Sequence, residues 1–356
     1  MSLLTRVPAL SPQLGNTSHP GFRPLNPSRF RGLFLSVRAA NGGLSLSFDR
    51  PPFLSDRVSA LTGTKKEAGM AFGTSIRTYW EGRWHEGDLP VMKAADHGIW
   101  QGSSVFDGAR YFDGLCPDLA LHCARLNRSA EALMITPTCE GPDMVAIIRE
   151  GLENYTPEQA VYIRPMYWAL HGSDLGIAPM VGATGFAISL EAVPMPPATF
   201  ATTVTRTRFR RPVLEDAVCN AKAGCLYPNN ARMLVEAQAK GFGNALVADA
   251  LGNLAESATA NVFLVKDGVV FTPVPNGTFL AGITRARHIA NLRADGVEVV
   301  ETVLTFDDAH AADEIFLSGN FAKVTAVKAF DDTTYRTRAM TDRVRRLYLD
   351  WAAGQV

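Results

Sequence analysis

Residues 220–227 read Asn-Ala-Lys-Ala-Gly-Cys-Leu-Tyr and place one lysine among small and apolar neighbours. Lys222 thus stands away from the charge-rich helix faces that usually carry lysines. Low-dielectric surroundings disfavour the charged form of an amine, and a neutral amine can attack a carbonyl carbon to form a Schiff base. Taken alone, the pattern still favours a lysine that reaches from a strand end to water.

Two later segments change that interpretation. Residues 254–263, Leu-Ala-Glu-Ser-Ala-Thr-Ala-Asn-Val-Phe, hold a single carboxylate, and residues 280–284, Leu-Ala-Gly-Ile-Thr, predict a glycine turn that opens a helix. Pyridoxal phosphate requires a lysine for its aldehyde and an acid against its ring nitrogen. Lys222 and Glu256 suit these tasks, and the N–H groups at the helix start suit the phosphate. We therefore expect a pyridoxal phosphate site.

The composition excludes several other classes of protein. The chain has 356 residues, of which 47% are hydrophobic and 20% charged, as in globular proteins with room for two domains. Its 35 basic residues balance 35 acidic ones, so we expect no nucleic-acid partner. No apolar run is long enough to predict a membrane span. Five cysteines without a Cys-x-x-Cys pair, and seven scattered histidines, predict reduced thiols, a cytoplasmic setting and no metal site.

The N-terminal 69 residues differ from the rest of the chain. They hold nine Lys or Arg against three Asp or Glu, and the first 48 contain no acid. Such a segment, rich in Pro, Ser, Gly and Asn, predicts a disordered extension. An organelle-targeting segment is the alternative, while Met70 would serve as a start if the extension is non-functional.

The Pro-rich stretch at 194–199 interrupts both helical and strand periods and predicts a stiff linker. We therefore expect a small α+β domain over 70–193 and a larger cofactor-binding domain over 200–356.

Local patterns predict several individual elements. Glu81-Gly82 and Lys266-Asp267-Gly268 indicate tight hairpin turns. A helical period places Met134 on an apolar face that begins at Leu126. Pro165 argues against a regular central strand where it stands.

Five segments together resemble the class IV aminotransferases, which are fold-type IV pyridoxal phosphate enzymes, and most closely the branched-chain amino acid aminotransferases. The resemblance implies a mixed α+β and α/β fold like that of D-amino acid aminotransferase, with two domains and the cofactor at their interface. It also implies a homodimer. The segments that carry it are residues 102–110, 162–165, 221–224, 280–285 and 313–319.

The resemblance also implies roles for individual residues around the cofactor. Lys222 would bind the aldehyde carbon and move the substrate proton, Glu256 would face the ring nitrogen, and Tyr227 would donate to the phenolate oxygen. Thr259 and Leu280 would cover the two ring faces. The phosphate would be held by Arg125, Ile283, Thr284 and the turn that contains Asn320.

The substrate side is predicted from an extended segment in which Tyr162 and Arg164 project from one face. Such a pair can orient a carboxylate. The resemblance adds Phe106, Gly108 and Arg110 to the same pocket, together with the turn at Phe321. The chain departs from branched-chain enzymes by having Gln101 in place of a tyrosine, and Asn320-Phe321 in place of Thr-Ala.

The function implied is transamination of an L-branched-chain amino acid to its 2-oxo acid, with 2-oxoglutarate as acceptor. The departures leave a D-amino acid or (R)-amine transaminase open, and also an aminodeoxychorismate lyase. A cofactor-binding dimer without activity is the non-enzymatic alternative.

Overall fold

The computed structural model describes residues 73–355. The extension expected over 1–69 lies outside these residues, and so does the start of the predicted small domain. Among the described helices, none is both long and apolar enough to cross a membrane.

The first elements of the described chain are β1 (Thr74–Trp80), β2 (Arg83–Glu86), α1 (His97–Trp100), β3 (Ser104–Phe106), β4 (Ala109–Tyr111), α2 (Leu119–Ala132), α3 (Gly141–Leu152), β5 (Val161–Ala169) and β6 (Thr184–Ala192). In this part of the chain, six strands form a first sheet ordered β2-β1-β6-β5-β3, with β4 also paired to β5. Two helices, α2 and α3, cover one face, and their apolar residues pack with Ile163 and Ile188 of the sheet.

The elements that follow are β7 (Ala201–Arg210), α4 (Tyr227–Ala239), β8 (Asn244–Ala248), β9 (Leu254–Ser257), β10 (Asn261–Lys266), β11 (Val269–Pro273), α5 (Ile283–Ala294), β12 (Val299–Thr302), α6 (Phe306–Ala311), β13 (Glu314–Gly319), β14 (Lys323–Phe330), β15 (Thr333–Thr334) and α7 (Ala339–Ala353). Among residues 73–355, their strands form a second, nine-stranded sheet ordered β12-β11-β10-β13-β14-β7-β8-β9, with β15 on β14. This sheet mixes parallel with antiparallel pairs.

The central strands of this second sheet are buried on both faces. In β10, Val262 and Leu264 pack with Phe306 of α6, whereas Phe263 packs on the opposite face with Leu292 of α5. Successive side chains of a strand point to opposite faces, so an almost continuously apolar strand requires cover on both sides. The two helical layers provide that cover.

Most of the local predictions are confirmed, with two corrections. Both hairpin turns are present, with positive φ angles at Glu81-Gly82 and Asp267-Gly268. Met134 is exposed, because α2 ends before it and its own φ is positive, so its predicted place on the apolar face was wrong.

Pro165 lies inside β5, between β6 and the β3–β4 pair. Its carbonyl accepts the Asp107 N–H at 3.0 Å, so its nitrogen also faces the interruption between β3 and β4. No backbone N–H of β5 is needed for a hydrogen bond to a neighbouring strand at that point, so a proline is tolerated there.

The two sheets come from 74–192 and 201–334, on either side of the Pro-rich stretch. The division into domains at 194–199 stays a prediction. Apolar contacts cross it, since Phe112 of the first part packs with Tyr348 of α7.

Candidate active site

A cavity of about 300 Å³ receives side chains from both sheets. That volume lies at the lower end of the range for small-molecule sites. Thirteen of the fifteen predicted site residues line it: Phe106, Gly108, Arg125, Tyr162, Lys222, Tyr227, Glu256, Thr259, Leu280, Ile283, Thr284, Asn320 and Phe321.

Backbone hydrogen bonds fix the segment that carries Lys222. Its N–H donates to Ser129 Oγ of α2 at 3.1 Å, and its carbonyl accepts the Phe106 N–H of β3 at 3.1 Å. The side chain then turns to Tyr227, and Nζ donates to the phenol oxygen at 2.5 Å. Burial lowers the pKa of Lys222, although Tyr162 and Asp107 oppose the shift. The amine therefore loses its proton more readily than a surface lysine does.

Glu256 reaches the same cavity from β9. Burial raises its pKa to about 7, against the opposing charge of Arg211, whose Nε lies 2.8 Å from Oε1. Asn261 Nδ2 lies 3.4 Å from Oε2 and also donates to the Leu280 carbonyl at 3.1 Å. Arg211 and Asn261 thus fix the carboxylate, and Asn261 ties it to a residue predicted to cover the ring.

The start of α5 offers donors for an anion. Gly282 precedes the helix and supplies no side-chain cap, and a Cβ atom there would collide with Asn261 Oδ1. The first N–H groups of a helix have no partner within it, and its dipole favours negative charge. Ser318 Oγ also lines the cavity and is buried without a hydrogen-bond partner among the described residues. These donors fit a phosphate group.

Arg125 is held by Asp107, a residue that the sequence analysis missed. Its Nε and Nη2 donate to the two carboxylate oxygens at 2.6 and 2.8 Å, and His122 Nδ1 lies 2.7 Å from Oδ1. Burial would raise the pKa of Asp107, but the charge of Arg125 and the hydrogen bonds from Arg125 and His122 hold it well below its usual range. Asp107 is the only acid in the segment 102–110, which carries part of the resemblance, and this could have marked it as a site residue.

Arg211 was also missed, although it follows directly on β7 and precedes Pro212, where a strand end commonly places a functional side chain. Nothing in the local sequence singles out Asn261, since it is the first residue of an otherwise apolar strand.

Two predicted residues, Arg164 and Arg110, do not line the cavity. Arg164 projects from the same face of β5 as Tyr162, but its Nη1 pairs with the buried Glu191 at 2.7 Å. Burying an unpaired carboxylate is costly, so the Arg164 guanidinium is held at Glu191 and does not reach the cavity. The expectation that both side chains enter one pocket is therefore not met.

Arg110 is completely buried behind the cavity wall. Nη2 donates to the Val193 carbonyl at 2.7 Å, and the guanidinium lies 6.0 Å from the ring centre of Tyr162 and 5.5 Å from that of Phe321. It packs behind two residues of the lining and is not part of it.

The fold and the lining of this cavity define a pyridoxal phosphate enzyme of fold type IV. The chain belongs to the class IV aminotransferases: the family described as "Amino-transferase class IV" matches residues 104–330. It is therefore a pyridoxal phosphate-dependent aminotransferase, and the fold class and cofactor predicted from the sequence are confirmed.

Several relatives are similar over most of their length. A putative branched-chain-amino-acid aminotransferase of Methanocaldococcus jannaschii is 31% identical, over 76% of this chain and 94% of its own. An aminotransferase of Brucella abortus, solved with pyridoxal phosphate bound, is 54% identical with a TM-score of 0.77, over 78% of this chain and 99% of its own. The branched-chain aminotransferase of Escherichia coli has a TM-score of 0.71 at 25% identity, over 79% and 96%.

Proposed function

We propose that this enzyme transfers the amino group of an L-branched-chain amino acid to 2-oxoglutarate. The observation that carries the proposal is that Lys222, held at Nζ by Tyr227, and the buried Glu256 open onto one cavity. The names of the relatives in M. jannaschii and E. coli support the branched-chain substrate.

The residues of the chain divide the chemistry among them. When bound, pyridoxal phosphate supplies an electrophilic aldehyde carbon and an electron-withdrawing ring. Glu256 would face the ring nitrogen and hold a proton there, while Tyr227 would donate to the phenolate oxygen. The phosphate would be held by Arg125, Ile283, Thr284 and the turn at Ser318-Gly319, and the ring faces would be covered by Thr259 and Leu280, all of which line the cavity.

Lys222 acts twice in each half of the reaction. Its lowered pKa lets the amine lose its proton more readily than a surface lysine does, so that it could react with the aldehyde carbon. Once the substrate amine has taken its place, Nζ would be free to accept the proton of the substrate Cα and to carry it to the cofactor. Tyr227 keeps Nζ close to that path.

A half-reaction screen tests the substrate assignment. The cofactor-loaded protein is mixed with L-leucine, L-valine, D-alanine or an (R)-arylamine, and loss of the aldehyde-form absorbance is followed with time. We expect the L-branched amino acids to react fastest, and 2-oxoglutarate to restore the absorbance faster than pyruvate. Faster reaction of D-alanine or the amine, or pyruvate release from aminodeoxychorismate without an acceptor, contradicts the proposal.

Borohydride reduction tests the role of Lys222 separately. It should fix the cofactor to the chain, and peptide mapping should find the label at Lys222. The Lys222→Ala variant should not be labelled and should lose transamination by about a thousandfold or more. Lys328→Ala, at an exposed position of β14, is the matched control and should behave as the wild type.

We further propose a homodimer with two domains and the cofactor between them, in a cytoplasmic setting. Apolar side chains at Ile99, Trp100, Leu175, Ile177 and Val181 are exposed and offer a surface for a second copy. All five cysteines are unpaired, which fits a reducing compartment.

A further inference from the structure

One ion pair joins the first part of the chain, residues 74–192, to the second part, residues 201–353. Nη2 of Arg287, in α5, lies 2.7 Å from Oδ1 of Asp118, which directly precedes α2. Every other ion pair within residues 73–355 stays inside one of the two parts. The Asp118–Arg287 pair is therefore the one ion pair across this division in the described chain.

The pair is shielded from water on several sides. The Asp118 side chain is 5% exposed, and Cζ of Arg287 lies 3.7 Å from the ring centre of Trp351 in α7. Trp351 in turn packs with the apolar cluster of Phe112 and Tyr348, which also crosses between the two parts. A shielded ion pair is screened less than a surface pair, so removing one of its partners has a large effect.

The two helices that the pair connects are packed on different sheets. Leu126 of α2 packs with Ile163 in the apolar core of the first sheet, whereas Leu292 of α5 packs with Phe263 of the second sheet. These two cores share no residue among those described, so neither core fixes the distance between α2 and α5. A contact between the helices themselves is needed for that, and the ion pair provides one.

Each of the two helices also carries a residue that is proposed to hold the phosphate. Arg125 follows Asp118 by seven residues, which is about two turns of α2, and Arg287 follows Thr284 by three residues in α5. Residues three or seven apart share one face of a helix. The pair thus lies on the same helix faces as Arg125 and Thr284, both of which line the cavity.

We infer that the Asp118–Arg287 ion pair positions α2 against α5 so that Arg125 and the start of α5 reach the same phosphate group. This role rests on the phosphate contacts proposed above for Arg125, Ile283 and Thr284. Asp118 and Arg287 are positioning residues, because neither of them lines the cavity. Donors from two helices can bind one phosphate together only if each is held to within about 0.5 Å of its place.

The test compares a ligand that carries the phosphate with one that lacks it. Binding of pyridoxal phosphate and of pyridoxal to the cofactor-free protein is measured by absorbance titration, and the ratio of the two dissociation constants gives the phosphate preference. Asp118→Asn removes the charge of the pair, while asparagine tolerates the positive φ angle at this position. We expect the phosphate preference to fall by about tenfold, through weaker binding of pyridoxal phosphate.

Arg287→Met removes the other charge and keeps an apolar side chain against Trp351. We expect the same loss of phosphate preference as in Asp118→Asn, and no further loss in the double variant, because the two residues act through one contact. Additive losses in the double variant overturn the inference. Equal weakening of both ligands in the single variants also overturns it, since that is the effect of a general loss of stability.

Asp295→Asn is the matched control. Asp295 follows the last residue of α5 and pairs with Arg343 of α7 at 2.6 Å, but both residues belong to the second part of the chain. The phosphate preference of this variant should equal that of the wild type. A loss as large as that of Asp118→Asn would show that any broken ion pair of α5 has this effect, and would overturn the inference.

Arg125→Ala separates the inference from the proposal on which it rests. We expect this variant to lose phosphate preference at least as strongly as Asp118→Asn, because it lacks the phosphate donor itself. A loss in Arg125→Ala without a loss in Asp118→Asn overturns the positioning role alone. An unchanged preference in Arg125→Ala contradicts the proposed phosphate contact, and the inference fails with it.

Discussion

Asp107 balances the charge at the end of the cavity that Arg125 lines. The change Asp107→Asn keeps its shape but leaves the Arg125 guanidinium buried without an anion. Removing one partner of a buried ion pair costs about 3–5 kcal/mol, so we expect the free energy of unfolding to fall by about that amount. Urea denaturation measures it.

Affinity for pyridoxal phosphate should also fall in Asp107→Asn, because a freed guanidinium no longer holds one orientation. Asp313→Asn is the control, since its ion pair with Lys266 is largely exposed and should contribute less than about 1 kcal/mol. Equal effects of the two substitutions would contradict the role of Asp107.

Glu256 makes the stability of the cofactor-free protein depend on pH. Burial raises its pKa from 4.5 in the unfolded chain to about 7 in the folded one. The folded state binds the proton more tightly, so this stabilisation is fully present below pH 4.5 and is lost as the pH rises to about 7. In Glu256→Gln this loss of stability with rising pH should disappear. Unfolding free energies measured from pH 4.5 to 7.5 provide the comparison.

Another buried group acts in the opposite direction over the same range. Burial lowers the pKa of His288 to about 4, so its contribution to stability is lost as the pH falls from 6.5. Subtracting the unfolding free energy of Glu256→Gln from that of the wild type at each pH removes the His288 contribution. What remains is the contribution of the Glu256 carboxylate. A difference that stays constant between pH 4.5 and 7.5 would refute the predicted protonation.

At the scale of elements, the start of α5 depends on the absence of a side chain at Gly282. In Gly282→Ala the new Cβ would collide with Asn261 Oδ1, and Asn261 in turn contacts Glu256 and the Leu280 carbonyl. We expect affinity for pyridoxal phosphate to drop by about tenfold or more, from a disturbance of about 1–3 kcal/mol. Fluorescence titration of the cofactor-free protein measures it.

Gly141→Ala is the matched control for this prediction, because a Cβ at the start of α3 would meet nothing within 4 Å. Its cofactor affinity should equal that of the wild type. If Gly282→Ala also binds as the wild type does, the close approach of this turn to Asn261 has no part in the site.

Short-range patterns predicted the elements well, and long-range charge pairing is what they missed. The Glu81-Gly82 and Asp267-Gly268 turns follow from residues that tolerate positive φ, which is a local property. The partner of Arg164 could not be predicted, because Glu191 lies 27 residues away and meets it only across the β5–β6 pair.

At the scale of the whole molecule, the sequence order of the motifs predicted the cavity without predicting its geometry. Lys222, Glu256 and Thr284 come from three separate elements, and only the resemblance placed them together. The two sheets supply the two sides of the lining, with Tyr162 from the first and Asn320 from the second. The contact of Lys323 with Asn320 involves a residue that differs from the Thr of branched-chain enzymes. The resemblance could not predict this contact, and only the structure shows it.

Two chains are expected to associate through the apolar surface around Trp100. Trp100 is 63% exposed at the end of α1, and His97 at the start of that helix lies 3.3 Å from the Gly176 carbonyl, beside the exposed Leu175 and Ile177. Exposed apolar side chains clustered in this way indicate an interface. We expect light scattering to give twice the 38.5 kDa chain mass for the wild type and a single chain mass for Trp100→Glu. Leu251→Glu, at a lone exposed leucine in the β8–β9 turn, should stay dimeric. A dimeric Trp100→Glu would place the interface elsewhere.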